Sequence, residues 1–425
     1  MKCKLVLTAI LFALCLSVFG GNGVVLDNGR VVESHEAPGQ DQPYPFEFEE
    51  ALPKAPAGYK PFFIEHYGRH GSRFAYDNIY YDTFKKALDQ AERKAVLTDF
   101  GKKLKADYDS HYPLYHLRMG DLTLSGMRQQ ERLGIEMVGN YPSIFRRPGA
   151  SVSAVSSDSR RAIMSMSGFC LGLAKAAPSL DIREDQGNCH LDATMPRSRK
   201  NPNFRDIPSP KFPFAETEEE FCIRKTGCFP DVLSRLFTDP DAALEGIGSV
   251  KFLKKLYVLV SGMNSLDEAD RTDFSGVFTE DEYARLWEVD DYQRYHEYYS
   301  YIKKIVPVMR SLVDDADAAI ADARRGASLR FGHDHVIMPL LVLLRLNGYS
   351  RQPQSPDEVS AIFANIDCPM AGNIQLVLYG NRRGGDVLVN IRLNGRNASV
   401  DGLAEAAPGF YRWEEYKSLI TEQHK

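Results

Sequence analysis

The chain has 425 residues, 44% hydrophobic and 26% charged, with a formal net charge of -5. This is a globular composition with ample length for one large domain or two coupled ones, and it excludes a disordered or fibrous chain. No global basicity points to nucleic acid, so any anion binding must be local.

The first stretch, MKCKLVLTAILFALCLSVFGG, has two early lysines, an apolar run and small residues near Gly20. That is the layout of a secretory signal peptide, expected over residues 1–20. No later stretch offers about 18 uninterrupted apolar residues, so no stable membrane span is expected. Cys3 and Cys15 would leave with the signal, and Cys170, Cys189, Cys222, Cys228 and Cys368 would remain. Cys222 and Cys228 are close enough in sequence to bridge a small loop in an exported chain, and the odd count leaves at least one thiol free in a monomer. Neither oligomeric state nor disulfide pattern is encoded legibly. No CxxC pair is present, which argues against a structural zinc site.

Residues 21–57 read as an extended lead-in rich in Gly, Pro and acidic residues. YKPFFIEHYG then fits a buried strand bounded by Pro and Gly. A Lys-rich helical region follows over about 79–108. LTLSGMRQQERLGIEMVGNY predicts a helix starting near Thr123 or Ser125 and stopped by Asn-Tyr-Pro. ASVSAVSS predicts a strand, and SDSRRAIMSMSGFCLGLAKAAP a helix capped by serine and stopped by proline. Residues 183–214 are irregular and basic, and from about 217 to 325 the pattern is mostly helical. ASLRFGHDH reads as a strand, VIMPLLVLLRLNG as a buried helix, and NIQLVLYG with DVLVNIRLNG as a hairpin. The expected fold is α/β, a three-layer sheet core with helices on both faces plus an inserted, mainly helical cap. The core would span 58–182 and 321–425, and the cap 183–320.

Three segments carry chemistry. In Arg69-His70-Gly71-Ser72-Arg73, two guanidiniums can hold a phosphoryl group through forked hydrogen bonds. A histidine among cations is pushed toward its neutral, nucleophilic form. The plain alternative is a basic surface turn. In SSDSRR, Arg160 or Arg161 opens a helix where free amides already favour anions; the alternative is a surface ion pair. In Phe331-Gly332-His333-Asp334-His335, an acid near such a crevice could protonate a leaving oxygen. A metal cluster or a helix cap are the alternatives. Both GRHGSR and GHDH follow predicted strands, where α/β sheets place ligands.

Together these segments resemble the histidine acid phosphatase family, branch 2 of the histidine phosphatase superfamily. Residues 69–73 match its RHGxR signature. LTLSGMRQQERLG, SSDSRRAIMSMSGFCLGL and RFGHDH are similar to its later motifs, in the same order. The spacing to Ser165 in that motif selects Arg161. The resemblance implies His70 as nucleophile, Asp334 as proton donor, and Arg69, Arg73, Arg161 and His333 as phosphate ligands. It implies no cofactor and no metal. FTEDEYARLW and the MAGNIQLVLYG hairpin look most like bacterial multiple inositol-polyphosphate phosphatases, which act on phytate. That subgroup typically carries His-Ala-Glu where this chain has His333-Asp334-His335, the pair of acid phosphatases and other phytases. Phe74-Ala75 also replaces the residue-Pro pair that many members carry.

The basic, Pro-rich MPRSRKNPNFRDIPSPKF holds Arg197, Arg199, Lys200, Arg205 and Lys211. It reads either as a substrate-binding rim for a polyanion or as a solvated loop. The expected function is an exported, periplasmic or secreted phosphomonoesterase whose partner is a small-molecule phosphomonoester, inositol phosphates first. The alternatives are a broad acid or sugar-phosphate phosphatase, an inactive phosphate-ligand binding protein, and a phosphomutase.

Overall fold

The computed structural model describes residues 24–25, 31–32, 41–322, 325–381 and 384–422. The expected signal peptide lies outside these residues. Among the described residues no helix is long and apolar enough to cross a membrane.

The sheet is built from β1 (Tyr59–Arg69), β2 (Ser151–Ser156), β3 (Asp181–Gln186), β4 (Arg325–Gly332), β5 (Asn373–Asn381), β6 (Leu388–Leu393), β7 (Arg396–Asn397) and β8 (Tyr411–Arg412). Its order is β8-β6-β5-β1-β4-β2-β3, with β7 paired to β6. Strands β1, β4, β2 and β3 run parallel, whereas β5 pairs antiparallel with both β1 and β6. The central strand β1 therefore sits where parallel and antiparallel halves meet. Crevices beyond the C-terminal edge of such strands are where α/β sheets bind ligands.

The alternation of β1 sorts its side chains. Phe63 and Tyr67 face a cluster that includes Leu312, Leu340, Leu341 and Trp413. Ile64 faces the other side, with Leu133, Phe169, Leu173 and Leu329. His66 is buried on that second face between the rings of Phe169 and Phe331, and burial pulls it down to about 3. It is a packed, neutral ring.

The helices that matter are α1 (Ile79–Arg93), α2 (Asp99–Leu117), α3 (Leu124–Asn140), α4 (Arg160–Ala176), α5 (Glu218–Thr226), α6 (Ser249–Gly262), α7 (Glu280–Tyr299), α8 (Val306–Ala321), α9 (Asp334–Leu343) and α10 (Trp413–Glu422). Residues of α3 and α4 cover the Ile64 face, and residues of α8, α9 and α10 cover the Phe63 face. This is the expected three-layer α/β core. Thr123 caps α3 by accepting from the Gly126 amide at 3.0 Å. The α3–α4 contact is backbone-close: a Cβ on Gly134 would stand 2.2 Å from the Phe169 carbonyl, and one on Gly172 2.1 Å from that of Glu131.

The helical insertion does not close a core alone. Phe252 and Leu256 of α6, with Leu286 and Trp287 of α7, pack against Phe84 and Leu88 of α1 and Tyr108 and Tyr115 of α2. Helix α7 then continues into the sheet-side cluster through Val289, Tyr292, Tyr295 and Tyr298. These tyrosines are packing residues.

Strand β3, DIREDQ, carries the core sheet four residues past the expected boundary at 182, into the stretch 183–214 expected to be irregular. It is an exposed edge strand, so it carries charges on its free side and lacks the apolar alternation that marks buried strands. Cys222 and Cys228, a candidate bridge, are both free thiols, as are Cys170, Cys189 and Cys368.

Candidate active site

The chain leaves β1 at Arg69 and turns through His70, Gly71, Ser72 and Arg73. This turn is fixed from both sides of the strand. The Arg69 amide donates to Gly372 and the His70 amide to Gly332, at 2.8 and 3.1 Å. Helix α3 holds it from below. Gln130 Nε2 donates to the Arg69 carbonyl at 2.9 Å, Gln129 Oε1 accepts from the Ser72 amide at 3.0 Å, and Thr123 Oγ1 donates to the Ser72 carbonyl at 3.0 Å. The contact is tight enough to demand glycine on both partners. A Cβ on Gly71 would stand 2.4 Å from the Gly126 carbonyl, and one on Gly126 would stand 2.2 Å from that of Ser72. Ser165 Oγ of α4 accepts from the Gly71 amide at 3.0 Å.

His70 is buried, and its Nδ1 stands 3.0 Å from the Gly71 carbonyl oxygen. A carbonyl can only accept, so Nδ1 carries the proton and the Nε2 lone pair is left for the pocket. Burial, then Arg161, Arg69, Arg73 and His333, push the ring well below the ordinary imidazole range. The His333 ring lies 5.5 Å from it, centroid to centroid. His333 caps α9, and its Nε2 meets Ser157 Oγ at 3.1 Å. Burial, then His335 and Arg161, hold it too well below its usual value. Gly332 leaves room for the Tyr67 ring, because a Cβ there would stand 2.0 Å from the Tyr67 hydroxyl.

Arg69 and Arg73 are buried, and Arg161, on the first turn of α4, is half-buried. Burial and the neighbouring Arg73 pull Arg161 down to about 10. The Nε atoms of Arg73 and Arg161 are shielded from water with no hydrogen-bond partner among the described residues. Three converging guanidiniums, two of them with a shielded donor unpartnered among the described residues, make a site that an anion completes.

Asp334 occupies the first helical position of α9. Its Oδ2 accepts from the Tyr298 hydroxyl at 2.8 Å and lies 3.7 Å from Arg69 Nη2. Burial would raise this carboxyl, but Arg69, His335 and Arg294 outweigh it and hold it well below the usual carboxylate range. His335 stacks on His333 at 5.0 Å, with Nδ1 3.6 Å from Asp334, and burial pulls it down to about 4.

The basic segment divides. Arg197 lies over the Tyr301 ring at 4.2 Å and acts electrostatically on His333 and His335, so it reaches the pocket. Lys200 pairs with Asp158, beside Ser157, at 2.6 Å. Arg199 is exposed, and Arg205 lines a groove with Lys303, Lys304 and Arg310. Lys211 is exposed as well. A second group of cations comes from the helical side: Lys255 lies over the Tyr80 ring at 4.6 Å, and buried Arg294 pairs with Asp290 at 3.5 Å.

Sequence reasoning missed Asp41, Tyr298 and Ser157. Asp41 Oδ1 stands 3.1 Å from Arg73 Nη2 and 3.4 Å from Arg69 Nη2, joining the two signature arginines. It comes from the lead-in, whose irregular composition carries no signal of a partner. Tyr298 stood within a run of tyrosines of packing character. Ser157 was visible as the second serine of SSDSRR but had no assigned partner.

A histidine with a free ring nitrogen, ringed by buried and half-buried guanidiniums at the C-terminal edge of parallel strands, defines a phosphoryl-handling α/β protein. The histidine phosphatase superfamily (branch 2) profile matches residues 68–394, and the chain belongs to that family of histidine-type phosphatases. Multiple inositol polyphosphate phosphatase of Bifidobacterium longum shares the fold, with a TM-score of 0.74 and 19% sequence identity over 91% of this chain and 98% of that one. The phytase from D. castellii follows at TM-score 0.68 and 14% identity, over 95% of this chain and 91% of that one. The Hafnia alvei phytase aligns at TM-score 0.54 and 13% identity, over 88% of this chain and 98% of that one. No match emerges among curated protein sequences.

Proposed function

We propose that the protein is an exported phosphomonoesterase that works through a phosphohistidine intermediate and takes inositol polyphosphates, phytate included. The observation that carries this reading is the convergence of His70 Nε2 with Arg69, Arg73, Arg161 and His333 on one pocket, with Asp334 at its edge. The guanidiniums and His333 would bind the phosphoryl oxygens and stabilise the charge that spreads over them. His70 Nε2 forms the N–P bond as the P–O bond to the alcohol breaks, and the proton on Asp334 passes to the leaving alkoxide. Water then attacks phosphorus, the N–P bond breaks, and Asp334 takes the water proton. The resting carboxylate of Asp334 needs a proton for the first step. A phosphoryl group that engages Arg69 weakens the field holding that carboxyl down, so substrate binding itself favours its protonation.

The inositol polyphosphate reading rests on the cations outside this centre. Arg197 acts on His333 and His335 and Arg294 on Asp334, while Lys200 pairs with Asp158 and Lys255 lies near Arg294; together they would suit a ring bearing several phosphates. The Bifidobacterium protein of the same fold has been crystallised with inositol hexasulfate and with phosphate. The helices between β3 and α8, joined by α1 and α2, would form the cap that admits this ring. The His333-Asp334 pair, shared with broader acid phosphatases, supports the alternative of a general phosphatase. A panel of phytate, lower inositol phosphates, sugar phosphates and an aryl phosphate, run with His70→Ala as control, tests both. Preference for phytate with no turnover by His70→Ala is expected. Equal rates across the panel would leave a general phosphatase, and turnover by the variant would overturn the mechanism.

A further inference from the structure

A second constellation lies away from the phosphoryl pocket, at the edge of the sheet. Strand β3 ends at Gln186, and Gly187 follows with φ 109° and ψ -164°, a backbone region essentially confined to glycine. This turn folds the chain back so that Asp185 faces the short turn Asn188–His190. One carboxylate oxygen of Asp185, Sγ of Cys189 and a ring nitrogen of His190 then all lie within 4.8 Å of one another. His190 Nε2 is shielded from water and makes no aligned hydrogen bond, although Asp185 Oδ2 stands 2.9 Å away. The Gln186 amide donates to Asp185 Oδ1 at 2.8 Å and so fixes the carboxylate from behind. Thr194 Oγ1 donates to the His190 carbonyl at 2.8 Å and fixes the other side of the turn.

We propose that Asp185, Cys189 and His190 bind a divalent cation of the zinc class, with water completing the coordination. Donor chemistry selects the ion. A thiolate and an imidazole exclude the hard cations magnesium and calcium, which take oxygen ligands. One sulfur, one nitrogen and one oxygen suit a tetrahedral zinc with an open position. Bond lengths of about 2.0–2.3 Å would place the three donors roughly 3.3–3.7 Å apart, so small side-chain rotations close the site. Binding displaces the Cys189 proton and trades the His190–Asp185 contact for two bonds to the metal. The site is independent of the phosphatase reading, since none of its three residues enters the pocket.

Cobalt(II) titrated into the full chain under a non-thiol reductant tests this directly. A thiolate-to-cobalt charge-transfer band with tetrahedral visible bands is expected, displaced by zinc, lost in Cys189→Ser and weakened in His190→Ala. Zinc should also raise the unfolding temperature of the wild type but not of Cys189→Ser. Both variants should release phosphate from an aryl phosphate at the wild-type rate, because neither side chain belongs to the pocket. Absence of the band at excess cobalt would overturn the proposal, as would a band that persists in Cys189→Ser.

Discussion

His70 sits among cations that would repel a proton from it, and this has a consequence for acid conditions. An ordinary histidine titrates near about 6.5. Burial, Arg161, Arg69 and Arg73 move His70 well below that, so it stays neutral as pH falls through 6.5 and remains able to attack. Asp334 is also held down, so its proton must be supplied from an acidic medium or by a monoanionic phosphate group, whose second ionisation lies near about 6. Turnover should therefore persist below the ordinary histidine value and decline as pH rises above about 7. A pH profile of kcat/KM with an aryl phosphate checks this; an acid limb centred near 6.5 would show that His70 is not perturbed. Asp334→Asn should slow alkyl phosphates on the order of 10²-fold, and aryl phosphates less, because a phenolate leaves with less need of a proton. Equal slowing of both would remove Asp334 from the donor role. These residues were legible because each stands in a short segment after a strand. Asp41 was not, since its bonds to Arg69 and Arg73 span about thirty positions of chain with no periodicity to mark them.

Helix α3 acts as the bed of the signature turn. Thr123 caps it, Gln129 and Gln130 bond the turn, and Gly126 lets the two backbones touch. Gly126→Ala places a methyl against backbone that cannot rotate away, so a loss of about 1–3 kcal/mol in stability is expected, together with activity. Gly139→Ala, on the same helix but with nothing within 4 Å, should instead gain roughly 0.5–1 kcal/mol. Urea unfolding of the two variants makes the comparison; equal effects would show that the close contact is not limiting. Elements such as α3 and β1 were readable because cap, apolar period and stop signal agree. Strand β3 was not, because an exposed edge strand is held by its neighbour's backbone and needs no apolar side chain of its own. The same argument covers the helical insertion. Its helical character was legible, whereas its packing partners α1 and α2 lie far away in sequence.

At the scale of the whole molecule, α7 joins the two apolar masses, with Trp287 in one and Tyr292, Tyr295 and Tyr298 in the other. The chain's two tryptophans divide between them, since Trp413 lies in the sheet-side cluster. A shared helix should make both melt together. In Trp413→Phe and in Trp287→Phe, the fluorescence midpoint of the remaining tryptophan should coincide with the far-ultraviolet circular dichroism midpoint of the same variant. Separated midpoints would show two units that unfold independently. The helix that unites the masses also carries Tyr298 in its last turn, whose hydroxyl holds the proposed proton donor. Groups on the substrate that press on this helix, far from the bond being broken, can therefore alter how the acid is held. In kinetic language, trimming the distant phosphates from a substrate should lower kcat and not simply raise KM, so that recognition and chemistry draw on one mechanical linkage.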